Sequence, residues 1–193
     1  MFIILYRHKE DIMEKQIDKY IDEHFDEMLS ILKDLVEIPS YYTEPKEGKP
    51  YGEAAAKALN KALAVCEGYG FKTRNFDNYI GDATFGGEPE LGILFHLDVV
   101  PEGEGWDTNP YELTIKDDRA YGRGTIDDKG PGVASIFALH TIKELGIPLK
   151  KGVRLIMGSD EERRGSEELK YYREKEQMPP QVFTPDAYFP LIN

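Results

Sequence analysis

The sequence has 193 residues, which suits one domain of ordinary size, and its 40% hydrophobic content is enough to build a packed core. A formal net charge of −12 at pH 7 argues against nucleic acid or an anionic membrane as a partner, because both require a basic protein surface. Cys66 is the sole cysteine, so no internal disulfide can form, and a cytoplasmic location is expected.

The first residues show little pattern. The apolar run at residues 2–5 has neither a preceding basic segment nor a following small-residue cleavage site, so it does not match a signal peptide, and it is too short to span a bilayer. The first strongly patterned segment opens at Met13. The sequence therefore predicts an N-terminal extension over residues 1–12 and one domain over residues 13–193.

Two helices are predicted in the next part of the chain. Apolar residues recur at three-and-four spacing over residues 17–36, which predicts one amphipathic helix that ends before Pro39. Residues 40–52 contain several prolines and glycines and predict a loop. The alanine-rich residues 53–67 predict a second helix, in which Cys66 is expected to be a small core residue.

Strands and helices then alternate. Short strands are predicted at 71–76 and 82–85, and the continuous apolar run 91–95 is typical of a strand buried on both faces. The remaining predicted elements are a helix at 130–145, a strand at 153–157, a charged helix at 166–176 and a short strand at 182–184. This alternation indicates an α/β domain with a largely parallel sheet.

Polar residues follow the predicted strands, which is where open α/β sheets bind their ligands. His96 and Asp98 come directly after the strand 91–95 and lie on the same side of an extended chain. The carboxylate can therefore orient the imidazole while the imidazole binds a metal ion. Taken alone, the pair is better explained as a strand-end histidine beside a solvated aspartate.

A glycine-punctuated turn at 122–130 leads into the helix predicted from residue 130. A phosphate-binding loop is disfavoured, because Asp127 and Asp128 would repel phosphate and neither the Walker spacing nor the full dinucleotide motif is present. Asp128 can be explained as the N-cap of the helix. Asp127 then has no structural explanation.

Further acidic residues follow two other strands. Glu161 and Glu162 come after the strand 153–157, and Asp186 follows the strand 182–184. Each could be a solvated helix start or turn residue, but one dinuclear metal site would explain all the acidic clusters together. Zinc suits histidine with carboxylates, and Co²⁺ or Mn²⁺ could replace it. One glutamate could bind metal while its neighbour accepts a proton from water.

The order of these motifs resembles the ArgE/DapE/carboxypeptidase G family of co-catalytic zinc metallopeptidases. The resemblance begins near Met13 and rests on the motifs at 96–101, 122–125, 127–130, 160–162 and 185–187. Within the family, residues 103–106 and 183–190 look most like dipeptidases of the PepV type. The resemblance implies a three-layer αβα catalytic domain with a mixed, largely parallel sheet of the zinc exopeptidase kind.

The resemblance also implies the metal ligands. Two Zn²⁺ ions would occupy each active site of the complete enzyme. His96, Asp127 and Asp186 would hold one zinc. Asp127 would bridge to the second zinc, which Glu162 would also bind.

Two catalytic roles follow from the same resemblance. Asp98 would orient His96. Glu161 would be the general base and acid, taking a proton from the metal-held water and passing it to the leaving amine. A cis peptide bond is expected between Asp127 and Asp128.

Other family features are expected to lie beyond these residues. The resemblance implies a histidine near the C-terminus that binds the second zinc, and a lid domain that contacts substrate. The chain is therefore expected to be an incomplete part of the catalytic domain that is inactive or nearly so. His8, His24 and His140 match no family ligand and are predicted to be surface or core residues.

The sequence departs from the family pattern at two places. Phe95 stands where many members have glycine, and it should face away from His96. Arg163 and Arg164 follow the acidic pair and have no family role that can be assigned. They could alter the local electrostatics.

Three functions remain open at this point. The leading hypothesis is a metallodipeptidase that hydrolyses dipeptides or small peptides. The alternatives are an amidohydrolase of N-acyl amino acids with the same metals and base, and a noncatalytic metal-binding protein. The sequence leaves the oligomeric state and the substrate side-chain preference open.

Overall fold

A computed structural model describes residues 2–163 and 166–186 of the chain. Helices and strands alternate along this part of the protein, as predicted. The helices are α1 (Phe2–Glu23), α2 (Phe25–Val36), α3 (Glu53–Gly68), α4 (Lys129–Glu144) and α5 (Glu167–Lys175). The strands are β1 (Lys72–Phe76), β2 (Ile80–Phe85), β3 (Pro89–His96), β4 (Thr114–Lys116), β5 (Arg119–Tyr121), β6 (Gly152–Gly158) and β7 (Gln181–Phe183).

The main sheet is mixed. Among the described residues it has five strands in the order β1-β2-β6-β3-β7. Strands β6, β3 and β7 run parallel to one another, whereas β1 and β2 are antiparallel to their neighbours. The parallel part lies at one side of the sheet, and the carboxyl ends of its three strands meet at the same edge.

Helices cover both faces of this sheet. Successive side chains of a strand point to opposite faces. In β6, Leu155 and Met157 pack into a large core with residues of α2, α3 and α4, whereas Ile156 packs with Tyr172 of α5 on the other side. This arrangement confirms the predicted three-layer αβα class. Cys66 is buried in the large core, as predicted.

The helix predicted over residues 17–36 is two helices, so the prediction of one continuous helix was wrong. His24 separates α1 from α2 with φ −118° and ψ 15°, outside the helical range. Its ring Nδ1 donates to the backbone oxygen of Tyr20 at 2.8 Å, and its ring stacks on Tyr20. The backbone N–H of His24 donates to the same oxygen at 3.1 Å, so the side-chain bond adds to the last helical bond of α1.

Helix α1 begins earlier than predicted and runs without a break across the proposed boundary at residue 12. The assignment of residues 1–12 to an extension stays a prediction. Ile12 and Met13, on the described part of the helix, are exposed. None of the helices in the described ranges is both long and apolar enough to cross a membrane.

Strands β4 and β5 form a separate hairpin that the sequence did not predict. Asp117 and Asp118 make its turn with φ of 51° and 56°. Two successive residues with positive φ are typical of a two-residue type I′ hairpin, whose usual signal is Asn-Gly or Asp-Gly. The Asp-Asp pair lacks the glycine that would have marked the turn.

Buried polar contacts hold the end of α2 against the sheet edge. The ammonium of Lys129, at the start of α4, donates to the backbone oxygens of Leu35 at 2.8 Å and Ile38 at 2.7 Å. Ser40 Oγ donates to the backbone oxygen of Leu97 at 2.6 Å. The oxygens of Leu35 and Ile38 also accept backbone N–H groups, so Lys129 adds a second donor to each. Together these bonds join the end of α2 to the start of α4 and to the segment after β3.

A substitution at Gly132 tests the close packing of α4 against Phe95 of β3. A Cβ at this position would lie 2.5 Å from Cδ2 of the buried Phe95 ring. We expect Gly132→Ala to destabilise the protein by about 1–3 kcal/mol through overpacking. Gly68→Ala, where a Cβ meets nothing within 4 Å, should leave stability unchanged or raise it by up to about 1 kcal/mol. Urea unfolding followed by circular dichroism measures both, and equal stabilities would contradict the packing described.

Candidate metal centre and active site

The carboxyl ends of the three parallel strands position the polar motifs. His96 is the last residue of β3, Glu161 and Glu162 lie in the turn after β6, and Asp186 follows β7. Asp127 approaches from the turn that precedes α4. Such a meeting of strand ends is the usual ligand site of open α/β sheets.

His96 lies at the centre of this group. The side chain is 3% exposed, and its Nε2 lies 2.9 Å from Asp127 Oδ1, 3.7 Å from Asp186 Oδ2 and 3.9 Å from Glu161 Oε2. Three carboxylates from separate parts of the chain therefore face one ring nitrogen. The sequence analysis expected the acidic clusters to share one site because of their places at strand ends and turns, and the family resemblance implied which residues join His96.

Asp98 connects His96 to the glutamate pair. His96 Nδ1 lies 3.0 Å from the backbone oxygen of Asp98 and 3.3 Å from its Oδ1. The two oxygens of the buried Asp98 carboxylate also accept the backbone N–H groups of Glu161 and Glu162, each at 3.1 Å. One side chain thus holds the imidazole and the turn that carries both glutamates.

Two groups of ligand atoms lie close enough together to hold metal ions. One consists of His96, Asp127 and Glu162, and the other of His96, Asp128 and Asp186, with all ligand atoms of each group within 4.8 Å of one another. Each predicted ligand therefore belongs to at least one of the two groups, and His96 belongs to both. Asp128 is an additional candidate that the sequence analysis had interpreted as a helix cap.

The N-cap interpretation of Asp128 was wrong for its side chain. Asp128 occupies the N-cap position of α4, but its carboxylate makes no capping hydrogen bond. Its Oδ2 instead accepts the backbone N–H of His96 at 3.2 Å, and its buried Oδ1 has no partner among the described residues. The sequence contained one signal that an aspartate here has another role. Asp127 and Asp128 are adjacent, and a helix needs only one N-cap residue. The peptide bond that joins the two aspartates is cis, as the resemblance implied.

The electrostatics of the cluster favour a cation. Burial lowers the pKa of His96, but the hydrogen bond and charge of Asp98, together with Asp128 and Asp127, outweigh it and raise that pKa to about 10. Burial is also the main cause of the raised pKa of Glu161, and nearby carboxylates raise it further. Crowded acidic groups of this kind are stabilised by positive charge.

Arg163 connects the turn that carries Glu161 and Glu162 to the loop after α2. Its guanidinium donates two hydrogen bonds of 2.7 Å to the buried carboxylate of Asp160 and lies 3.5 Å from the centre of the Tyr42 ring. The sequence left this arginine without a role, and the structure gives it a contact between the turn and the loop after α2. Arg164 lies outside the described residues, as do residues 187–190 of the last motif.

The other histidines contact different parts of the protein. His24 lies between α1 and α2, and the buried His140 stacks on Tyr69 with ring centres 3.6 Å apart. The interpretation of both as surface or core residues fits these positions. Phe95 is buried in the large core and packs toward Gly132, so it faces away from the ligand cluster, as predicted.

The fold and this cluster define a metallopeptidase-like domain, and comparison with known proteins identifies its family. The sequence pattern of peptidase family M20/M25/M40 matches residues 92–193, more than half of the chain, and the chain belongs to this family. The Beta-Ala-Xaa dipeptidase of Lactobacillus delbrueckii subsp. lactis is 39% identical over 171 residues, which cover 85% of this chain and 36% of that dipeptidase.

Solved structures agree in fold. Human carnosine dipeptidase 1 matches with a TM-score of 0.73 and 29% identity, over 83% of this chain and 37% of that chain. Sso-CP2 from Sulfolobus solfataricus, an M20 family metallo-carboxypeptidase, matches with a TM-score of 0.69 and 26% identity over the same shares. The chain thus spans a little over a third of the length of these relatives. The family resemblance and the fold class predicted from the sequence are confirmed.

Divalent metal ions are the cofactors of the M20 metallopeptidases, and the described residues fit them. Imidazole nitrogen together with carboxylate oxygen is a donor set that zinc and other divalent ions accept. The unpartnered Oδ1 of Asp128 adds a buried oxygen that has no hydrogen bond among the described residues. The first feature involves the ligands predicted from the sequence, whereas Asp128 was not among them.

The contacts of Asp98 predict a large effect of its removal. Asp98→Ala would leave His96 without its carboxylate partner and the N–H groups of Glu161 and Glu162 without acceptors. We expect zinc affinity to fall by about 10- to 100-fold and stability to fall by about 1–3 kcal/mol. Calorimetric zinc titration and urea unfolding measure the two effects. The exposed Asp107 provides the control Asp107→Ala, and an equal effect of both changes would contradict the role of Asp98.

Proposed function

We propose that this domain carries the active site of a zinc-dependent dipeptidase, in which water hydrolyses the peptide bond of a dipeptide or small peptide. The observation that carries the proposal is the convergence of three carboxylates on Nε2 of His96, with two groups of ligand atoms sharing this imidazole. Membership of the M20 family and similarity to relatives that are named dipeptidases support the same reaction.

The proposed ligands are those that the resemblance implied: His96, Asp127 and Asp186 for one ion, and Asp127 and Glu162 for the second. The two groups of close ligand atoms divide differently, because Asp127 and Glu162 lie near His96 in one group, whereas Asp128 and Asp186 lie near it in the other. Two bound zinc ions would acidify a water molecule and polarise the scissile carbonyl. Co²⁺ or Mn²⁺ would serve in the same donor set.

The protein's own groups then move the proton. Glu161 is the proposed general base and acid, because its carboxylate borders the cluster at 3.9 Å from His96 Nε2 and belongs to neither group of ligand atoms. Asp98 contacts both His96 and the backbone N–H of Glu161, so it fixes the position of the proposed base relative to the proposed ligand.

The chain alone is proposed to bind metal but to hydrolyse dipeptides slowly or not at all. Both groups of ligand atoms depend on the same imidazole, whereas the resemblance implies a second histidine and a lid. His24 and His140 are held by Tyr20 and Tyr69 and do not supply that histidine. A cytoplasmic location is proposed, because a sole buried cysteine suits a reducing compartment.

Zinc titration separates the proposed base from the proposed ligand. Glu162→Gln should weaken zinc binding by about tenfold or more, because a charged ligand atom is lost. Glu161→Gln should leave zinc affinity within about twofold of the original chain, because this residue does not bind the ion. The two residues are neighbours in one turn, so each variant is a matched control for the other. Equal losses of affinity would contradict the division of roles.

Hydrolysis and binding of glycyl-leucine test the proposed reaction. The zinc-loaded chain should bind this dipeptide, and removal of zinc with a chelator should abolish the binding. Release of leucine by the 193-residue chain, followed by chromatography, should stay near the rate without protein. Dipeptide binding that is unchanged by the chelator would contradict the metal-dependent site, whereas rapid hydrolysis would contradict only the proposed inactivity of the chain.

A further inference from the structure

Glu168 is a buried acidic residue that the proposed reaction does not use. It is the second residue of α5 and is 2% exposed, whereas its neighbour Glu167 is exposed. Glutamate at the start of a helix is normally solvated and interacts with the helix dipole. Glu168 instead points inward, and its Oε2 has no hydrogen-bond partner among the described residues.

A small cavity connects Glu168 to the candidate active site. The cavity has a volume of about 170 Å³, and its wall includes Glu168 together with His96, Glu161 and Asp186 of the site. The apolar residues Leu94 and Leu169 form part of the remaining wall. At about 30 Å³ for each water-sized group, the cavity has room for roughly five or six such groups. It therefore suits the end of a small ligand.

Glu168 lies next to the metal-binding histidine in this cavity. Gly158, at the end of β6, separates the two side chains: a Cβ built on it would lie 3.6 Å from His96 Cβ and 3.7 Å from Glu168 Oε1. Because glycine has no side chain, nothing from this position fills the space between them. A ligand at the metal centre could extend toward Glu168.

The surroundings of Glu168 disfavour its negative charge. Burial raises the pKa of Glu168 to about 7, its own backbone N–H offsets part of that rise, and the charges of Asp98, Asp160 and Glu161 raise the pKa further. Burial and then the charge of Glu168 raise the pKa of Tyr51, but no hydrogen bond joins these two side chains among the described residues. A buried carboxylate in such a site is stabilised by a ligand that brings a cation.

We propose that Glu168 receives the free ammonium group of the dipeptide and thereby restricts the site to substrates with an unblocked N-terminus. The inference rests on the dipeptidase function proposed above and names the substrate class of the same site. The amino group of a dipeptide lies close to its scissile carbonyl, so a carboxylate in the cavity beside Glu161 and His96 is placed to bind it. The site then distinguishes dipeptides from N-acyl amino acids, which lack the cation.

Calorimetric titration with two probes tests the proposal on the zinc-loaded chain. The probes are glycyl-leucine, which has a free ammonium, and N-acetyl-glycyl-leucine, which does not. The original chain should bind the first at least about tenfold more tightly than the second, as expected for a charge-assisted hydrogen bond. Glu168→Gln should weaken glycyl-leucine binding by about tenfold or more and leave binding of the acetylated probe unchanged.

Glu167→Gln is the matched control, because it removes the same charge from the neighbouring exposed position. It should leave both affinities unchanged. The Glu168→Gln variant should fold normally, because glutamine has nearly the same shape and removes an unpaired buried charge. A melting temperature equal to or above that of the original chain would check this point.

Two results would overturn the inference while leaving the dipeptidase proposal in place. One is equal binding of the two probes by the original chain, and the other is unchanged discrimination in Glu168→Gln. If zinc binds but neither probe does, the proposed function fails together with this inference. Zinc stoichiometry measured on the same samples separates these cases from a simple loss of metal.

Discussion

The buried carboxylate of Asp98 is the constraint on which the candidate site depends. Its two oxygens serve the imidazole of His96 and the backbone N–H groups of Glu161 and Glu162. These partners come from two parallel strands, so the carboxylate joins the end of β3 to the turn after β6. Strand pairing continues to His96 and Gly158, and the Asp98 carboxylate extends this connection to the turn that carries the glutamates. The Asp98 carboxylate therefore makes the positions of the proposed ligand and base depend on the pairing of β3 with β6.

A second set of buried contacts holds the surrounding segments. Lys129 joins the turn that carries Asp127 to the end of α2, and Ser40 joins the loop after α2 to the backbone at Leu97. Arg163 then fastens the glutamate turn to the loop at Tyr42. Binding of a divalent ion requires ligands that are held within a narrow geometry before the ion arrives. These contacts explain how short turns can meet that requirement.

Much of the fold and most of the site could be predicted from the sequence, and the errors have physical causes. Apolar runs such as that of β3 located the strands, and the rule that ligands bind at strand ends brought together His96, Glu162 and Asp186. Periodicity could not reveal the break at His24, because the apolar spacing continues through the residue whose backbone leaves the helical range.

The remaining differences depend on contacts between distant parts of the chain. The capping role predicted for Asp128 failed because its carboxylate bonds to His96, thirty-two residues earlier in the sequence. The burial of Glu168 was likewise invisible, since a charged helix start is normally solvated and only packing against the sheet encloses it. Local sequence signals therefore located the site, whereas tertiary packing determined which polar atoms were left without partners.

Anomalous diffraction from crystals of the chain grown with zinc tests the central claim most directly. The account predicts zinc about 2 Å from Nε2 of His96, with carboxylate oxygens of Asp127 and Asp186 around it and with Glu161 outside the coordination shell. Zinc bound only at other acidic surfaces, with His96 Nε2 still paired to Asp127, would contradict it.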